Sequence, residues 1–176
     1  YKSGKHDRFT VIPPGIDLET FYPFYDPQLD EELFNEEIKQ TRYTLLRELH
    51  RFWAHPDKPF ILALCRPDHR KNITGLIDAY GTNLELPQIA NLAIFAGLRK
   101  DITVMEDNEQ EVLTDMLLQM DRYDLYGKLA IPKQHDFATE VPELYRICAE
   151  SQGVFVNPAL IEPFGLTREN KLRPRQ

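Results

Sequence analysis

The strongest constraint on how this chain can fold is an alternation: short apolar runs take turns with longer amphipathic ones from residue 60 to residue 156. Phe60-Ile61-Leu62-Ala63-Leu64-Cys65 is continuously apolar and short, as a strand covered on both faces must be. Asn72 to Tyr80 then sets Ile73, Leu76, Ile77 and Tyr80 on one helical side, with Gly81 as the closing residue. Asn91-Leu92-Ala93-Ile94-Phe95-Ala96 is a second strand, ended by Gly97. Glu109 to Tyr123 carries Val112, Leu113, Met116, Leu117 and Met120 on one helical face. Leu129-Ala130-Ile131, cut short by Pro132, is a third strand. Val141 to Glu150 is a helix, and Gly153-Val154-Phe155-Val156 a fourth strand.

Strand and helix in strict turn imply right-handed crossovers, hence an α/β fold: a Rossmann-like parallel sheet with helices on both faces. In the common doubly wound order the first and fourth strands are neighbours, and ligands bind beyond their carboxyl ends. The loops there are Arg66 to Lys71 and Asn157 to Leu166. Upstream, Phe9 to Ile12 is β-prone and stopped by Pro13-Pro14-Gly15. From Asp26 to His55 a polar loop leads into a long helix bearing Leu33, Ile38, Leu45, Leu46, Leu49, Phe52 and Trp53, which Pro56 ends.

The 176 residues are a one-domain length, and 42% apolar with 28% charged residues is ordinary for a globular chain. No window reaches the run of about 18 to 20 apolar residues that a membrane span needs. The opening YKSGKHDRFT has no apolar core of a secretory signal, and a start at Tyr1 suggests a piece of something longer. Cys65 and Cys148 read as buried thiols of a reducing, cytoplasmic setting, and Asn72-Ile73-Thr74 as a chance glycosylation match. A net charge of −7 argues against a nucleic-acid partner, although a few placed cations can still hold a phosphate.

Arg66 leaves the tip of the first strand and Lys71 stands where the next helix begins. A helix start favours anions, and a guanidinium fork plus an ammonium there make a diphosphate clamp. A solvated basic turn is the plainer reading of the same residues. After the fourth strand, Glu162-Pro163-Phe164-Gly165-Leu166-Thr167 offers a carboxylate for sugar hydroxyls and backbone N–H groups after a glycine. An ordinary strand-to-helix turn with an exposed glutamate is the alternative. His135-Asp136 reads as a solvated loop pair without a nucleophile, and the remaining histidines, His6, His50, His55 and His69, form no metal cluster. The acids from Glu106 to Glu111 suit the start of a helix.

Several stretches, taken in order, resemble a known family. They are Val11-Ile12-Pro13-Pro14-Gly15, Arg66-Pro67-Asp68-His69-Arg70-Lys71-Asn72, Asp124-Leu125-Tyr126-Gly127, Pro142-Glu143-Leu144-Tyr145-Arg146, Gly153-Val154-Phe155-Val156-Asn157-Pro158-Ala159 and Glu162-Pro163-Phe164-Gly165-Leu166-Thr167. Together they resemble glycosyltransferase family 4, retaining enzymes of the two-domain GT-B fold, over roughly Phe9 to Thr167. The resemblance implies an incomplete carboxyl-terminal half of such an enzyme: residues 1–25 an interdomain segment, 26–167 a partial nucleotide-sugar-binding domain, 168–176 a divergent tail. It is sharpest to the members that transfer glucose from UDP-glucose to fructose 6-phosphate, giving sucrose 6-phosphate. In the family, residues matching Arg66 and Lys71 bind the donor diphosphate, the match of Glu162 holds the sugar, and Phe164, Gly165, Leu166 and Thr167 help cradle sugar and phosphate. No metal or other cofactor is then expected, since the two cations do its work.

Two departures stand out. The family has a second glutamate eight positions on, for the ribose; here Asn170 holds that place, and the tail RENKLRPRQ is polar where an apolar helix belongs. The fragment alone is therefore expected to be inactive, with an open sheet edge inviting self-association. Relatives of the sucrose synthase or mannosylfructose-phosphate synthase type, and a non-catalytic α/β interaction module, remain the other readings.

Overall fold

The computed structural model describes residues 17, 20–22, 35–133, 135–136 and 138–161. The expected strand at Phe9–Ile12 and the tail from residue 168 lie outside the described residues. Four parallel strands, β1 (Phe60–Cys65), β2 (Asn91–Ala96), β3 (Leu129–Ala130) and β4 (Val154–Phe155), form one sheet in the order β3-β2-β1-β4. β1 and β4 are thus neighbours, paired Ile61 to Val154 and Leu62 to Phe155. Among the described residues five α-helices accompany them: α1 (Glu36–His50), α2 (Ile73–Thr82), α3 (Leu86–Ile89), α4 (Asp107–Arg122) and α5 (Glu140–Glu150).

The side chains of β1 point alternately to two cores, which is why its run is unbroken. Ile61 and Ala63 join Ile73, Ile77 and Tyr80 of α2 and Val112, Leu113 and Met116 of α4 on one face. Phe60 and Leu62 join Leu45 and Leu49 of α1 and Val141, Leu144 and Ile147 of α5 on the other. Burying any one of these large side chains stabilises the fold by roughly 1.5–3 kcal/mol.

The elements differ from the sequence reading in places that have physical causes. α1 ends at His50, before Pro56, because Trp53 leaves the helix to bridge to Gly127 beside β3 and to donate its indole N–H to Leu92 O at 3.4 Å. Gly81 lies inside α2 instead of closing it: a Cβ there would meet the Tyr123 ring at 2.5 Å, so glycine admits close helix packing. α2 begins at Ile73, after Asn72, whose φ of 52° is left-handed. α3 carries too few residues to leave a periodic signature. α4 starts within the acidic run, with Asp107 and Glu109 in its first turn.

α5 is buried from Val141 through Cys148, including Glu143 and Arg146. The Arg146 guanidinium donates to Glu143 and, at 2.8 Å, to Thr20 O, and stacks 3.7 Å from the Tyr22 ring centre. Arg42 of α1 bonds Glu143 at 3.2 Å and Glu150 as well. This network ties residues 20–22, α1 and α5 together. Cys148 beneath β1 has its thiol pushed up to about 12 by burial, which keeps it protonated.

Candidate functional site

The loops that leave the carboxyl ends of β1 and β4 lie against each other. After β1, Arg66 is exposed and its carbonyl oxygen accepts from Asp68 N at 2.9 Å, turning the chain. His69–Lys71 then form one turn of 3-10 helix, capped by the Asp68 carboxylate, which accepts from Arg70 N at 2.8 Å. Lys71 ends that turn and Asn72 separates it from α2, so Lys71 precedes the helix by a residue more than the sequence reading had it. The Asn72 side chain makes no capping bond to the amino end of α2.

The same carboxylate takes the Arg70 side chain, Nε at 3.0 Å and Nη2 at 2.6 Å. Those bonds hold the Asp68 carboxyl down to about 2, the side-chain bond from Arg70 being the larger cause and its backbone N–H the next. Of the three cations in this loop, Arg70 is therefore engaged by its own neighbour. His69 Nε2 lies 3.2 Å from Glu111 of α4, a second tie at the surface.

From the other side, Leu160 N donates to Arg70 O at 3.0 Å and the Asn72 amide donates to Pro158 O at 3.3 Å. Ala159 N in turn donates to the Asn157 side chain at 3.2 Å. The segment 157–161 is thereby seated on the segment 66–72. The sequence reading placed two candidate loops at this crevice, and the fold brings their described parts together. Glu162, Phe164, Gly165, Leu166 and Thr167 lie outside the described residues, so only Arg66 and Lys71 of the candidate set are seen.

The rim continues across the sheet. Gly97, at φ 65°, ends β2 with N donating to Cys65 O at 3.1 Å; a Cβ there would sit 3.0 Å from Pro67 Cδ. Glycine supplies both the left-handed backbone and the clearance that brings β2's loop onto β1's. Beyond it, Arg99 is 7% exposed and donates to Ile131 O and Pro132 O, each at 3.0 Å, while its own N–H bonds Lys133 O at 2.9 Å. Burial lowers its pKa, with the two carbonyls as compensation. The loops after all four strands are consequently linked into one edge.

A cleft of about 1240 Å³ opens at the β2 and β3 end of this edge, against α1; Arg47, Arg51, Lys100, Lys133 and His135 are among its lining residues. His135 differs from the solvated-pair reading. Its ring packs edge-on to Phe95, 5.7 Å between centres, and burial lowers its pKa against an opposing pull from Asp136. Asp136 meanwhile accepts from Thr139 N and Oγ1, both at 2.8 Å, just ahead of α5. The two neighbours hold separate structural posts. An aromatic on the neighbouring strand β2 is the partner that the sequence could not reveal.

No family model matches the chain. Curated relatives do. The chain is 45% identical over 161 residues to "Probable sucrose-phosphate synthase 1" of Craterostigma plantagineum. It is 43% identical over 166 residues to "Sucrose-phosphate synthase 4" of Arabidopsis thaliana, and equally to "Sucrose-phosphate synthase" of Zea mays. Each alignment takes in 91% of this chain but only 15% to 16% of the relative's length.

Proposed function

With the likeness of this chain to one stretch of the sucrose-phosphate synthases as premise, we propose that it is the donor-holding part of a retaining glucosyltransferase. The reaction we assign to the whole protein moves glucose from UDP-glucose to fructose 6-phosphate and yields sucrose 6-phosphate. The observation that carries the reading is the seating of segment 157–161 on the loop that bears Arg66 and Lys71, at the carboxyl ends of adjacent parallel strands. That is where an α/β sheet of this order receives a ligand.

The chemistry follows from charge. Glycosyl transfer breaks the bond between the anomeric carbon and the diphosphate oxygen, and negative charge grows on the departing UDP. Arg66, just after β1, and Lys71, just ahead of α2, meet that charge as it develops; such donors favour the transition state over the ground state. Glu162 holds the sugar hydroxyls, the backbone of Phe164, Gly165 and Leu166 lines sugar and phosphate, and Thr167 completes the set. In this scheme the two cations fill the role that a divalent metal fills in other transferases. The acceptor is bound by a further domain, so the chain alone binds donor without turning it over. Residues 1–25 serve as the link to that domain, 168–176 as a divergent tail, and the cytoplasm as the setting.

Isothermal titration of the 176-residue chain with UDP, UDP-glucose and GDP-mannose tests the reading directly. UDP and UDP-glucose should bind and GDP-mannose should not, and Arg66→Ala should weaken UDP on the order of tenfold or more, as loss of a charge-assisted contact does. Equal heats for wild type and Arg66→Ala would remove the diphosphate clamp from consideration. A preference for GDP-mannose would move the protein to another donor class.

A further inference from the structure

Asn72 stands between the 3-10 turn and α2 with φ 52° and ψ 38°, a backbone that asparagine tolerates better than most residues. A residue at this place ordinarily turns its side-chain oxygen to the first N–H groups of its own helix. Asn72 makes no such bond. Its amide nitrogen reaches instead to Pro158 O, 86 positions along the chain, at 3.3 Å. Gly75 makes the room: a Cβ there would lie 2.4 Å from Asn72 Oδ1 and 2.8 Å from Nδ2. Two positions earlier, Arg70 O receives Leu160 N at 3.0 Å, so the tie has two strands.

We propose that Asn72 is a positioning residue of the donor site, forgoing the cap of its own helix to clamp the loop after β4 against the loop of Arg66 and Lys71, with Gly75 as the clearance that permits it. The proposal rests on the donor-binding reading above. Its physical content is separate: two loops at the carboxyl ends of neighbouring strands share a local opening equilibrium that the Asn72 amide controls. A ligand contacting both loops binds only the clamped arrangement, so loosening the clamp lowers affinity by the fraction of time spent closed.

Two variants approach the clamp from opposite sides. Asn72→Gly keeps the left-handed backbone accessible and removes the amide. Gly75→Ala leaves Asn72 in place and displaces its side chain by collision. Hydrogen exchange followed by NMR should show the Leu160 amide exchanging about tenfold faster in both variants, with the Ile77 amide inside α2 unchanged. UDP affinity measured on the same samples should fall about five- to tenfold. Unchanged exchange at Leu160, or equal acceleration at Leu160 and Ile77, would overturn the clamp. Faster exchange at Leu160 with undiminished UDP affinity would overturn its role in the site. If the wild-type chain binds no UDP, the donor reading falls, and the exchange data still decide whether Asn72 joins the loops.

Discussion

Asp68 shows how one carboxylate sorts three neighbouring cations. By accepting from Arg70 N, Nε and Nη2 it caps the turn and occupies that guanidinium, while Arg66 and Lys71 flank it on either side. The sign of the pH effect is set by a folded value near 2, below the ordinary 3.8. The stabilisation is whole above about pH 4 and is lost as pH falls toward 2. Side-chain carboxyl shifts in NMR should therefore titrate with a midpoint near 2 for Asp68, and Arg70→Ala should return it toward 3.8. One partner is well exposed, with 76% of the Arg70 side chain open to water, so the pair's worth to global stability is small. At this scale the sequence was legible where chemistry is local. The place of Arg66 and Lys71 in the turn after β1 could be read because both fall within one short stretch. Asn72 could not, because nothing in its neighbourhood says that its amide belongs to Pro158.

Among the elements, α5 departs most from a surface helix. Periodicity announces a helix from Val141 to Glu150, and one forms from Glu140 to Glu150, its Pro142 tolerated in the first turn where no intrahelical N–H is needed. What periodicity hides is that α5 is covered on nearly every side, by the sheet, by α1 and by residues 20–22. Glu143 and Arg146 are buried charges, tolerable because each is paired. Glu143→Ala takes from Arg146 its buried carboxylate and removes a partner of Arg42; it should cost about 3 kcal/mol or more in urea unfolding, far beyond a surface substitution. The strand boundaries of β1 and β2 could be read to the residue because both are apolar on both faces and sharply ended. The end of α1 could not, since Trp53 keeps its burial after leaving the helix by moving to the sheet beside β3.

Across the whole molecule the neighbouring of β1 and β4 was legible too, because handedness and alternation leave few arrangements. The two outer strands are treated differently. Trp53 and Ala54 lie along the approach to β3, Ala54 N bonding Gly127 O at 2.8 Å. β4 pairs with β1 alone among the described residues, and Val154 is 54% exposed. We propose that this edge recruits another copy. Sedimentation of the purified chain should show association growing with concentration, and Val154→Lys should suppress it without lowering thermal stability by more than a few degrees. A monomer at every concentration would leave that edge without the role assigned to it.

The sheet order also bears on synthesis. Of the four described strands β1 is made first yet stands second from the edge, with β2 on one side and β4 on the other. A nascent chain that has emerged only as far as α4 therefore holds this apolar strand half-paired, its β4 flank unpartnered until Val154 and Phe155 clear the ribosome. During that interval the growing polypeptide presents the kind of sticky ribbon that chaperones exist to shield.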